Sequence, residues 1–232
     1  MISIIIPAFN EEPVIAHTIN AIRENGNPEH ITEILVIDGG SSDQTSEQSR
    51  LAGAAVIQSP KKGRSAQMNY GASIAQGEIL YFLHADTIPP HGFTNDIVNA
   101  VKNEYHAGCF MLSFDSDHWL LKANSWFTQF DCDYFRFGDQ SLFVDKTVFH
   151  KAGGFNENLL VMEDQEIIKR IKAFSRFKII KKSVTTSARK YLENGVFKTK
   201  GTFYLIFILY KLGFSQQYLV NTYRKLIRMN KV

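Results

Sequence analysis

The chain has 232 residues, 44% hydrophobic and 21% charged, a globular composition that excludes a fibrous or disordered chain and allows one large domain or two small ones. Net charge is only +3, yet ten basic and twenty-two acidic residues precede Ile167, whereas sixteen basic and one acidic residue lie from there to the end. The basic part suits an anionic partner, whether nucleic acid, an anionic membrane surface or a phosphorylated substrate, or else a solvated basic face.

Ser3-Ile4-Ile5-Ile6 predicts a first strand buried on both faces. Met1 runs straight into it without a basic n-region, so no export signal is expected. With only Cys109 and Cys132, free thiols in a reducing, cytoplasmic setting follow. Ile15, Ile19 and Ile22 recur at helical spacing up to Gly26. Residues 34–37 read as a second strand ending at Asp38-Gly39-Gly40. A short capped helix follows to Leu51, and residues 54–58 as a third strand. A helix is predicted over 64–75. The apolar run 79–83, which stops at His84-Ala85-Asp86, is the fourth strand. This βαβα order predicts a right-handed, mostly parallel sheet with helices on both faces.

Beyond Pro89-Pro90 a helix is expected near 93–101, strands at 107–114 and 141–144, and a helix opening at Glu163-Asp164-Gln165-Glu166. Residues 177–180 and 184–187 are two weak strand candidates. Trp119, Trp126, Phe127 and Phe130 suit stacking on a sugar or lipid, although aromatics at this spacing more often build core. Residues 203–210 are all apolar, but a membrane-spanning helix needs about twenty residues. From Gln217 on, Leu219, Val220, Tyr223, Leu226 and Ile227 keep helical spacing among basic residues. That pattern fits an interfacial amphipathic helix or a surface helix docked on the core.

Glu11, Asp38 and Asp86 each directly follow a predicted strand of the parallel part, at the edge where open α/β sheets bind ligands. A carboxylate at that edge can hold a divalent metal, and the metal a diphosphate.

The words S-I-I-I-P-A-F-N-E-E, V-I-D-G-G-S-S-D-Q-T, L-H-A-D-T and M-E-D-Q-E-I-I-K-R, in this order over about residues 2–190, resemble glycosyltransferase family 2. The words G-R-S-A-Q-M-N-Y-G-A, F-L-H-A-D-T, F-G-D-Q-S-L-F-V, G-G-F-N-E and T-S-A-R-K-Y are similar to its radical-SAM/selenodomain-associated transferase subgroup. The resemblance implies a GT-A fold, with a transferase domain over 1–195 (nucleotide half to about 106, acceptor half beyond) and a basic helical extension over 196–232. It implies an inverting transfer from a nucleoside-diphosphate sugar, with Mg2+ or Mn2+ as cofactor. Pro7, Ala8 and Glu11 would line the nucleoside pocket, and Asp38 would accept from the base. Asp86 would bind the metal, and His84, Ala85 and Arg64 would contact the nucleotide. Asp164 would be the general base. Glu163, Asp139 and Gln140 would face the acceptor.

Two positions depart from the family pattern. His84 stands where an acid is common. Met68 stands where an arginine is common, with Arg64 one turn earlier on the same helix face and Arg189 and Lys190 as further diphosphate contacts. A sugar-1-phosphate nucleotidyltransferase would need a glycine-rich loop after the first strand, and Pro7 to Glu12 has no glycine. A non-catalytic, nucleotide-binding or membrane-docking scaffold with the same fold is the other alternative. The acceptor is not named by the sequence. A lipid-linked one fits the basic, apolar C-terminal stretch, at the inner face of a membrane. Nucleic acid is disfavoured, and self-association is left open.

Overall fold

The computed structural model describes residues 1–131 and 140–227. Eight strands form one sheet in the order β3-β2-β1-β4-β7-β6-β8-β5. The strands are β1 (Ile2–Ala8), β2 (Ile31–Asp38), β3 (Ala55–Gln58), β4 (Ile79–Phe82), β5 (Thr87–Ile88), β6 (Ala107–Phe114), β7 (Leu142–Asp145) and β8 (Phe177–Thr186). The pairs among β3, β2, β1 and β4 are parallel. β7 enters antiparallel between β4 and β6, β6 and β8 are parallel, and β5 closes the edge antiparallel to β8. The expected mostly parallel sheet is thus present, with its parallel half at the N-terminal end.

β1 is central because both its faces are apolar. Ile4 and Ile6 belong to one core cluster and Ile5 to the other, all fully buried. Each such side chain removed from water stabilises the fold by about 1.5–3 kcal/mol. The first cluster sits under α1 (Glu12–Asn25) and α4 (Phe93–Lys102). The second sits under α3 (Arg64–Ile74), α6 (Lys146–Lys151) and α7 (Glu163–Ile171). α1 starts with Pro in its first turn, buries Ile15, Ile19 and Ile22 on one stripe and stops at Gly26. α2 (Thr45–Leu51) packs beside it.

The two weak strand candidates near 180 are one strand. The register of β6 on β8 jumps from Phe110↔Ile180 to Met111↔Ser183. Lys181 and Lys182 fall in that irregularity, and Lys182 reaches out to Asp96 at 2.7 Å. α5 (Trp119–Phe127) leaves Trp119, Trp126 and Phe127 exposed, and Phe130 just beyond it is exposed too. The core reading of those aromatics is therefore wrong: β6 and α5 bury Leu121 and Asn124 instead.

Three helices follow β8: α8 (Arg189–Asn194), α9 (Val196–Lys211) and α10 (Gln216–Leu226). α10 docks on the body. Leu219 and Ile227 are buried, Tyr223 stacks on Phe203, and Gln216 Oε1 accepts from the backbone N–H groups of Leu160 and Val161 at 3.0 and 3.1 Å. Of the two readings of that amphipathic stretch, the docked surface helix is the one found. No helix among the described residues is long and apolar enough to cross a membrane.

Candidate active site

The carboxyl ends of β1, β2 and β4 lie side by side, with Ala8 paired to Asp38 in register and Leu83 N donating to Ile5 O at 3.0 Å. This puts Pro7, Ala8, Asp38 and the His84-Ala85-Asp86 segment along one edge. The loops leaving that edge are tied together. Asn10, in the left-handed region that Asn tolerates, donates from its N–H to Ser41 Oγ at 2.9 Å and accepts from Ser42 N. Glu11 N donates to Thr45 Oγ1 at 2.7 Å. Ser41 donates to Asp38 from its backbone and, at 2.5 Å, from its hydroxyl. An ionised carboxylate has about four lone-pair sites, so Asp38 keeps acceptor capacity for a ligand.

Gln67, buried inside α3, holds the two strands from below. Its Nε2 donates to Ala8 O at 2.9 Å and to Ile37 O at 2.7 Å. Ala85 is buried, and its carbonyl accepts from Thr18 of α1 at 2.7 Å. His84 O accepts from Thr87 N at 3.2 Å, turning the chain so that Asp86 is half-buried at the edge. Among the described residues, no protein donor takes up the Asp86 carboxylate. An oxygen ligand without a protein donor is what a hard cation needs, and Mg2+-type sites take one or two carboxylates with the rest from water and phosphate. The donor set therefore fits a divalent cation shared with a substrate. No cluster of three or more His, Cys, Asp or Glu side chains able to hold a metal alone occurs among the described residues.

Arg64, the first residue of α3, joins the strand edge to α7. Its Nε donates to Glu163 Oε1 at 2.5 Å, and its Nη2 also meets that carboxylate. Nη2 reaches Asp164 Oδ2 at 3.1 Å, and Nη1 lies 3.5 Å from His84 Nε2. A guanidinium only donates, so in this contact Nε2 of His84 is the accepting side. In this geometry His84 faces Arg64. Gly63 precedes Arg64 at φ 111, a conformation open to glycine and strained for other residues. Met162, at φ 68, turns the chain into α7 and sets Glu163 and Asp164 in its first turn.

Glu163 is 1% exposed. Burial pushes its carboxyl pKa up, Arg64 pulls it back, and the Asp164 charge adds to the rise. Glu163 was expected to face the acceptor; it lies instead beneath Arg64, because a buried acid needs that cation. Gln140 is also buried rather than presented to an acceptor, donating to Thr128 O at 3.4 Å. Asp139 lies outside the described residues, as does Cys132; Cys109 is buried. Arg189 Nη2 comes to 3.9 Å from Glu11 Oε2, at the β1 end of the edge. Lys190 turns the other way, over the Phe203 ring.

Sequence reasoning missed Asn10, Ser41, Thr45 and Gln67. The polar run after β2 was the available signal for Ser41 and Thr45. Gln67 had none, since a mid-helix Gln reads as surface.

The glycosyl transferase family 2 model matches residues 3–157. Glycosyltransferase AglE of Haloferax volcanii is 35% identical over 94 residues, which are 38% of this chain and 31% of that protein. The chain spans between about a third and a half of the length of the first curated relatives it matches. Among solved structures, mannosyltransferase PcManGT of Pyrobaculum calidifontis, in complex with GDP-Man and Mn2+, superposes with a TM-score of 0.68 at 17% identity, covering 88% of this chain and 61% of that one. TarS of S. aureus with UDP gives 0.67 at 15% identity, covering 97% and 70%.

Proposed function

The chain belongs to glycosyl transferase family 2, and we propose that it moves a sugar from a nucleoside-diphosphate sugar to an acceptor hydroxyl, with inversion at the anomeric carbon. One observation carries this reading. Asp38 and Asp86 stand at one parallel-strand edge, and Arg64 reaches from that edge to Asp164. The relatives' names and the nucleotide-bound neighbours are in line with it.

In this reading Pro7, Ala8 and Glu11 line the nucleoside and Asp38 accepts from a base N–H. Asp86 would hold the divalent cation, Mg2+ or Mn2+, and the cation would supply positive charge to offset that of a diphosphate leaving group. Arg64 and Arg189 bind diphosphate oxygens. Asp164 takes the proton of the acceptor hydroxyl as that oxygen bonds to the anomeric carbon. The bond from that carbon to the diphosphate oxygen breaks, and its electron pair leaves with the nucleoside diphosphate. Attack opposite the leaving group inverts the centre, the geometry seen in inverting glycoside hydrolysis. Asp164 lies in the first turn of α7, the helix end where a negative side chain is favoured.

Residues 1–195 carry this chemistry in our reading, with the later helices as an extension. The G-R-S-A-Q-M-N-Y-G-A word supports the narrower radical-SAM/selenodomain-associated subgroup, because its Arg64 and Gln67 both sit at the site. The test is calorimetry with UDP and GDP, with and without Mn2+, followed by nucleoside-diphosphate release from a panel of sugar nucleotides. Metal-dependent binding of one nucleotide and turnover of its sugar are expected. Binding of neither would overturn the reading in favour of a scaffold that kept the fold.

A further inference from the structure

α10 turns its apolar side inward, whereas α9 carries apolar residues on both its buried and its exposed side. Phe197, Leu205, Ile208 and Leu212 of α9 and its C-cap are exposed, at 66%, 39%, 52% and 69%. At 3.6 residues per turn these positions, with Gly201 between them, fall on one side of the helix. Lys198 and Lys211, both exposed, border the stripe on its two sides. The opposite side of α9 buries Val196, Thr199, Thr202, Ile206 and Phe207 against the body, so the exposed stripe is not a core face left open by chance of register. The stripe continues past its first turn onto α5, where Trp119, 64% exposed, meets Phe197 with ring centroids 6.1 Å apart.

We propose that this stripe, from Trp119 through Phe197 to Leu212, seats on an anionic lipid surface. Its length, about 22 Å from the rise per residue, suits a helix lying in the interface plane rather than crossing it. A tryptophan at one end is the side chain that settles at the headgroup level. Charge selects lipid over a protein groove of unspecified sign. Lys198 and Lys211, exposed along the two borders of the stripe, give it the positive charge that phosphate headgroups complement. The proposal goes beyond sugar transfer and does not depend on it.

Flotation of the full chain with phosphatidylcholine vesicles containing phosphatidylglycerol should carry it to the top of the gradient at low salt. Pure phosphatidylcholine vesicles, and anionic vesicles at high salt, should recover much less. Ile208→Glu with Leu212→Glu, and separately Lys198→Glu with Lys211→Glu, should each lower binding about tenfold or more with an unchanged thermal midpoint. In a Trp126→Phe background, Trp119 emission should shift to the blue on adding anionic vesicles. Three results would overturn the proposal. They are no flotation from anionic vesicles, flotation indifferent to all four substitutions, or a dimer dissolved by Ile208→Glu in a chain that ignores vesicles, which would assign the stripe to a second copy. Nucleotide calorimetry on the same samples reads the transfer reading separately.

Discussion

Arg64 donates to Asp164 Oδ2 at 3.1 Å, so the carboxylate proposed to take the acceptor proton is ion-paired to the cation proposed to meet the donor diphosphate. A diphosphate arriving at the edge would share that guanidinium with Glu163 and Asp164, and its charge would compete with Asp164 for the cation. Donor binding and exposure of the base are then linked. Asp164→Asn keeps the side chain's shape and removes its ability to bind a proton at neutral pH. We expect kcat to fall by about 10²–10⁴-fold with nucleotide affinity little changed. Turnover within an order of magnitude of the parent would remove Asp164 from the base role.

Glu163 gives a pH-dependent prediction with a definite sign. Its pKa is raised in the folded state, by burial first and by Asp164, against the pull of Arg64. An acid with a raised folded pKa binds its proton more tightly when native, so native stability is lost as pH climbs from the ordinary carboxylate range, about 4.3, through the raised value. Glu163→Gln cannot ionise. It should match the parent at the acid end and exceed it above the raised pKa.

Arg64→Ala takes away the cation that offsets the buried charge and should cost about 1–3 kcal/mol at neutral pH. Adding Glu163→Gln to it should recover most of that loss. Urea midpoints for the four proteins, at about pH 5 and about pH 8, check both points. Additive losses in the cycle would mean that Arg64 does not hold Glu163.

Much of this was legible in the sequence because the signals are local. The apolar runs of β1, β2 and β4 end in polar words, and period-3.6 spacing marks α1 and α7. The rest depends on tertiary choices that spacing does not encode. The 177–186 strand looked like two because Lys181-Lys182 interrupts its apolar pattern, and only pairing with β6 tolerates the irregularity. Glu163 was placed on the acceptor side by the family resemblance; its burial comes with Arg64, ninety-nine residues away, a pairing that spacing does not encode. The aromatic residues of α5 looked like core because aromatics at this spacing more often are, but they are exposed: Trp119 meets Phe197 of α9, and Trp126 packs on Phe127 and Phe130.

Asp86 should be separable from stability. Its carboxylate is half-buried and takes no protein donor among the described residues, so Asp86→Asn removes little that holds the fold together. The unfolding free energy should stay within about 0.5 kcal/mol of the parent. Metal-dependent nucleotide binding should be lost, while any metal-independent component persists. Unchanged enhancement of binding by Mn2+, read by calorimetry, would move the metal elsewhere.

Gln67 ties together the strand ends proposed to line the nucleoside. Its Nε2 bridges Ala8 O, at the last residue of β1, and Ile37 O, at the last but one of β2, and the side chain is buried. Gly39 packs against the same amide: a Cβ there would lie 3.1 Å from Gln67 Nε2. Gln67→Leu removes a donor from both carbonyls and should cost about 1–3 kcal/mol. It should also raise the donor KM more than it lowers kcat, since it loosens the nucleoside side and leaves Asp164 alone. Gly39→Ala pushes the same amide from above, so the two changes should be less than additive in both stability and KM. Strict additivity, or a Gln67→Leu enzyme with an unaltered donor KM, would show that the bridge fastens the strands without shaping the pocket.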